Sequence, residues 1–153
     1  MDKDLIKENL KLIRNSEDVN YIIATKKDKN MYLVAGLTSG KEIPLTRAIA
    51  IHEFPSLPML NITRAMGFLY MEDFVSICDG FGCINRNNFA SLDSKVEENP
   101  KYIDMLATFK NGKTINLYAT KAKNFEKEKD RLMAKLAKNE NEFDYYDDSF
   151  LGW

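Results

Sequence analysis

A chain of 153 residues with 44% hydrophobic and 29% charged side chains has the length and make-up of one globular domain. At that size it buries about two thirds of the surface its unfolded chain exposes, so it needs neither disulfides nor a metal to fold. The formal net charge of −1 points neither toward nor away from nucleic acid, and no stretch approaches the roughly 18 uninterrupted apolar residues of a membrane span.

The start, Met1-Asp2-Lys3-Asp4, is a charged helix opening rather than a secretory leader. With only two cysteines, a reducing, cytoplasmic setting is expected. Lys, Asn and Ile abound while Arg is scarce, as AT-rich coding DNA produces, which suggests a bacterial or phage source.

Residues 2–15 read as a helix. Asp2 can cap its free N–H groups, and Ile6, Leu10 and Ile13 fall on one face. Val19–Thr25 and Met31–Thr38 are rich in β-branched and aromatic residues and read as strands joined by the polar loop Lys26–Asn30. Lys41–Leu45 suits a short third strand, which Pro44 confines to an edge. Thr46–Phe54 fits helix or strand, and Pro55 and Pro58 end it. Leu57–Met66 reads as a short helix ended by Gly67.

The densest apolar run follows, over Gly67–Ile84. Asp79-Gly80 inside it is a hairpin signal, so Phe74–Cys78 and Phe81–Asn85 are expected to pair at the centre of a sheet. One long helix over Met59–Cys78 is the rival reading, because periodicity alone does not separate the two. The polar stretch Asn85–Asn99 reads as a loop. Tyr102–Phe109 and Thr114–Thr120 then flank Asn111-Gly112, the preferred pair of a type I′ turn. Lys121–Lys138 is a charged helix with a stripe of Ala122, Phe125, Leu132, Met133 and Leu136.

Several residues invite a chemical reading. Cys78 and Cys83 stand in a C-x₄-C around the first hairpin turn. With His52 and Asp79 they could supply four zinc ligands, but small core residues in reduced form explain them better. His52-Glu53 resembles a base with its orienting acid, yet adjacent side chains point apart, so no catalytic residue and no cofactor or metal is assigned. Arg86 among Asn85, Asn87 and Asn88 could hold a polar ligand, or be a solvated loop. Lys121, Lys123, Lys127 and Arg131 could meet phosphates, although Glu126, Glu128 and Asp130 between them suit a plain solvated helix.

The C-terminal segment, residues 139–153, is the strongest lead. All 22 Lys and Arg lie in residues 1–138, with 18 of the 23 Asp and Glu, so the body carries +4 and the tail −5. The tail also holds Phe143, Tyr145, Tyr146, Phe150 and Trp153, whereas solvated tails are poor in aromatics. Such residues anchor interfaces. Phe143, Tyr145, Tyr146, Asp147, Asp148, Phe150 and Trp153 are therefore the expected partner contacts. Packing in cis, as a last strand or cover, is the other reading. In composition alone, the tail resembles the acidic tails ending in a hydrophobic residue on single-stranded-DNA-binding proteins, which recruit replication partners. The body, which opens with a helix and lacks a five-strand barrel order, does not resemble that family.

The expectation is an α+β fold. A single domain, residues 1–138, would carry an antiparallel sheet of five to seven strands built from hairpins, with N-terminal and C-terminal helices packed on it. The expected function is non-enzymatic binding of another macromolecule, protein first, as a phage or mobile-element inhibitor or accessory factor or an immunity-type protein. A nucleic-acid-binding accessory protein with an acidic regulatory tail is second. An enzyme with a polar site near Asp79–Asn88 is third.

Overall fold

The structure, a computed structural model, describes residues 8–9, 11–13, 15–46, 48–50, 73–77 and 82–138. Nine strands lie within them: β1 (Val19–Lys27), β2 (Asn30–Leu37), β3 (Glu42–Pro44), β4 (Ile49–Ala50), β5 (Phe74–Ile77), β6 (Gly82–Asn85), β7 (Phe89–Val96), β8 (Tyr102–Phe109) and β9 (Thr114–Lys121). One sheet runs β3-β2-β1-β6-β5, with β4 paired beside β3 on the outer edge of β2. The second runs β7-β8-β9. All pairings are antiparallel. A 3-10 turn, Ala122–Asn124, leads from β9 into α1 (Phe125–Lys138). The architecture is α+β, mostly antiparallel sheet with one C-terminal helix in the described residues.

One core joins both sheets and the helix. Tyr21, Val75, Ile77 and Ile84 come from the first sheet, Leu92, Met105, Ala107, Phe109, Ile115 and Leu117 from the second, and Phe125, Leu132 and Leu136 from α1. The other face of the first sheet is buried too, through Ile22, Leu33, Ala35, Ile43, Phe74 and Cys83. Burial on both faces accounts for the nearly continuous apolar runs of β1 and β2, where alternation would mark a half-solvated strand. In β8 the alternation is clear: Met105, Ala107 and Phe109 are buried while Asp104, Leu106 and Thr108 are only half-buried. The second sheet therefore turns its other face outward.

Tyr21 spans the join between the sheets. Its ring stands 5.5 Å from that of Phe109, and its hydroxyl donates to Glu42 Oε2 at 2.6 Å. A Cβ on Gly36, its cross-strand neighbour, would lie 2.1 Å from Tyr21 Cζ. The absent side chain is what admits the ring.

The structure corrects several expectations. There are two sheets in place of one. The β5–β6 hairpin forms, with Ile77 opposite Gly82, but it closes one end of its sheet and β1 is the middle strand. β5 also excludes one helix running through to Cys78. The N-terminal helix over 2–15 is not borne out. Helical backbone occurs at Glu8, Asn9, Lys11 and Leu12, and the rest of that range lies mostly outside the described residues. Asn85–Asn99 is no loop, because β7 occupies most of it. β7 buries Leu92 alone and exposes Asp93 to Val96, so its composition is that of an edge strand mostly in water. Ile49–Ala50 resolves as strand. Residues 51–72, including the expected helix Leu57–Met66, and 78–81, with the Asp79-Gly80 turn, lie outside the described residues.

The second hairpin forms as expected, but its turn differs. Phe109 N–H donates to Lys113 C=O, and Gly112 N–H donates to Phe109 C=O, both at 2.9 Å. That is a three-residue loop closed by Gly112 at φ 89°. Asn111 is not left-handed, so the two-residue type I′ form is excluded.

Candidate functional site

The β8–β9 register sets Tyr102 directly opposite Lys121. Both close their strands at the same end of the second sheet, and Ala122 N–H donates to Lys101 C=O at 2.7 Å, prolonging the pairing. Lys101, Tyr102, Lys121, Ala122 and Lys123 line an open groove there of about 500 Å³. Tyr102 is 38% exposed, more than most large hydrophobic side chains of the described residues. Its backbone is fixed on both sides, since Tyr102 N–H donates to Asn99 C=O at 3.1 Å and Tyr102 C=O accepts from Glu97 N–H at 3.3 Å. No carboxylate lines the groove among the described residues. Among those residues, none of the three lysines makes an ion pair.

Of the four basic residues expected to meet phosphates, the structure thus brings Lys121 and Lys123 together. Lys127 and Arg131 are exposed on α1 four residues apart, on one helix face, outside the groove. Lys101 and Tyr102 were not expected there. The hairpin register was the signal that could have found them, because an Asn111-Gly112 turn places residues near 102 opposite residues near 121.

A second groove, of about 380 Å³, lies on the outer half of the first sheet, lined by Thr25, Lys27, Tyr32, Val34, Glu42, Pro44 and Ala48. Glu42 is the acceptor of the Tyr21 hydroxyl, and burial, with Glu42 beside it, holds that phenol well above its usual range. A third hollow is acidic. The Glu97 carboxyl lies against Asp104, which holds it above the usual carboxylate range, and Lys95 and Glu98 complete its rim.

The asparagine cluster after β6 does structural work. Asn85 is 1% exposed. Its amide donates to Ser16 C=O at 2.9 Å and Val19 C=O at 3.0 Å, and its Oδ1 accepts from Asn87 N–H at 2.9 Å. Asn88 donates to Glu17 C=O and Val19 C=O, both at 3.2 Å. Asp73 accepts from Ser16 Oγ and Asn87 Nδ2, both at 2.7 Å. Arg86 reaches the Ala137 carbonyl near the end of α1 at 3.5 Å. Together these bonds fasten the β6–β7 turn to the entry of β1 and to α1.

Cys83 is buried, and burial pushes its thiol far up, only partly opposed by a hydrogen bond to the Ile22 backbone. Such a thiol is a packing residue. Cys78, His52 and Asp79 lie outside the described residues, within which no group of three His, Cys, Asp or Glu is placed to hold a metal. The tail residues Phe143, Tyr145, Tyr146, Asp147, Asp148, Phe150 and Trp153 also lie outside them. No helix in the described residues is long and apolar enough to cross a membrane. Comparison with known families, curated proteins and solved structures finds no match.

Proposed function

We propose that the chain is a non-enzymatic, cytoplasmic binding protein that engages another protein through residues 139–153. The observation that carries this reading is the partition of charge and aromatics, with −5 and five aromatic residues in the last fifteen against +4 in the body. Aromatic anchors supply large contact area at low entropy cost, and the interleaved acids steer the segment toward a basic surface. The body supports the same reading. Asn85, Asn87, Asn88 and Asp73, polar groups that a site near Asp79–Asn88 would use, are engaged in holding strands together. An inhibitor, accessory factor or immunity-type protein of a phage or mobile element is a role of this kind.

The test compares the full chain with Phe150→Ala/Trp153→Ala in capture from the native cell. Partner recovery should fall about tenfold or more, the equivalent of about 1.4 kcal/mol, with little change in melting temperature. Trp153 is the only tryptophan, so its emission reports the tail directly. A blue-shifted Trp153 in the wild-type monomer, with a lowered melting temperature in the variant, would make the tail a cover of its own body.

A further inference from the structure

We propose that the groove formed by Lys101, Tyr102, Lys121 and Lys123 binds a short stretch of single-stranded nucleic acid, with a base stacked on Tyr102 and the flanking phosphates on the lysines. The site is built from residues of the body and does not depend on the protein-partner reading. Three features converge on it. The three lysines come from the residue before β8, the last residue of β9 and the turn before α1, so the fold gathers what the sequence separates. They line the groove without an opposing carboxylate among the described residues. Beside them in the lining is Tyr102, 38% exposed, on backbone pinned by two hydrogen bonds.

A positively charged groove with an aromatic platform is how proteins hold single strands without reading sequence, because every base has a face to stack. A duplex hides those faces. An acidic peptide would satisfy the lysines but offers no flat partner to the ring. Lys127 and Arg131 extend the positive surface along α1, but Glu126 and Asp130 flank them. The acids confine the footprint to the groove and its nearest nucleotides.

The experiment measures binding of a fluorescein-labelled oligothymidine to the full-length protein by anisotropy, starting at about 50 mM salt and raising it. Binding should weaken as salt rises. Tyr102→Ala should weaken it about tenfold at every salt concentration. Lys101→Gln/Lys121→Gln/Lys123→Gln should make the log–log salt slope shallower by about 2, near 0.7 per lost phosphate contact. Unlabelled duplex and polyglutamate should compete poorly. Absence of binding at the lowest salt, or an unchanged slope in the triple variant, would overturn the proposal. So would polyglutamate competing as well as oligothymidine, which would assign the groove to an acidic protein. If a variant fails to fold, photo-crosslinking of wild type to a bromouridine-substituted strand decides the matter: adducts at Tyr102 support the site, and adducts confined elsewhere overturn it.

Discussion

The Asn111 side chain donates to the Thr38 carbonyl at 3.2 Å, tying the tight turn of one sheet to that of the other. The two turns are built alike. In the β2–β3 turn, Leu37 N–H donates to Lys41 C=O at 2.8 Å and Gly40 N–H to Leu37 C=O at 2.9 Å, the same pattern that closes Phe109–Lys113. Gly40 at φ 92° and Gly112 at φ 89° end the loops. A Cβ at either position would meet no atom within 4 Å, so backbone angle alone demands glycine there. Gly112→Val is therefore expected to destabilise by about 2 kcal/mol, Gly112→Ala by less, and Gly112→Asn least, because asparagine tolerates the left-handed region. Thermal melts giving one common loss for all three would refute an angle-based account.

Tyr21 offers a test of the junction between the sheets. Its hydroxyl bonds Glu42, and both burial and that carboxylate favour the neutral phenol. A folded-state pKa raised above the unfolded value near 10 has a definite sign. Below pH 10 the phenol is neutral in both states and the stability is fully present. Above it the unfolded chain ionises first, and stability falls as pH rises. Tyr21→Phe should lose about 0.5–1.5 kcal/mol at neutral pH with the hydrogen bond. It should also show a shallower decline above pH 10 than wild type in urea melts. Equal alkaline slopes would mean that Tyr21 titrates normally.

Gly36 is the complementary probe. Its Cβ would fall inside the Tyr21 ring, so Gly36→Ala must displace a buried aromatic, and overpacking of this kind costs about 1–3 kcal/mol. Gly36→Ala combined with Tyr21→Ala should lose less than the sum of the two single losses, because the smaller residue removes the clash. Additive losses in denaturant melts would mean that the ring does not depend on the glycine.

The strands that read clearly in the sequence are those whose environment leaves a simple pattern. β1, β2, β8 and β9 carry β-branched and aromatic runs broken by polar turns, and each lies within two residues of its expected bounds. The β8–β9 turn shows the limit of dipeptide signals. Asn111-Gly112 locates the reversal, while Lys110 joins the loop and changes its type. β7 was hidden because Phe89, Leu92 and Val96 are its only large apolar residues. Pairing with β8 makes it a strand, and that is a tertiary effect. The division into two sheets was hidden for a related reason. Hairpins report local partners, and which hairpins share a sheet depends on contacts such as Tyr21 with Phe109, across nearly ninety residues of chain. Half of the basic groove was legible in Lys121 and Lys123. Lys101 and Tyr102 joined it only through the strand register.

Asn20 and Asn85 are both 1% exposed, yet they should answer substitution in opposite directions. Extending the β1–β6 register by one residue beyond Tyr21 and Ile84 sets them across from each other. Asn85 donates twice and accepts once. Asn20 sits at the β1 irregularity with neither Nδ2 nor Oδ1 in a hydrogen bond among the described residues. Removing a satisfied buried amide strands a partner, here the Asn87 N–H, and such an orphan costs about 1–3 kcal/mol, whereas the Ser16 carbonyl keeps its bond from Val19 N–H. Val19 is partly spared, because Asn88 also donates to its carbonyl. Removing an unsatisfied amide instead lifts a desolvation penalty already present in the folded state. Asn85→Ala should therefore lower the urea midpoint clearly, while Asn20→Leu, close in volume, should leave it unchanged or raise it by the equivalent of about 1 kcal/mol. The slope of each transition should match wild type, which would show that both variants act on the folded state's stability and not on its compactness. A loss at Asn20→Leu as large as at Asn85→Ala would mean that the Asn20 amide has a partner holding β1 in place.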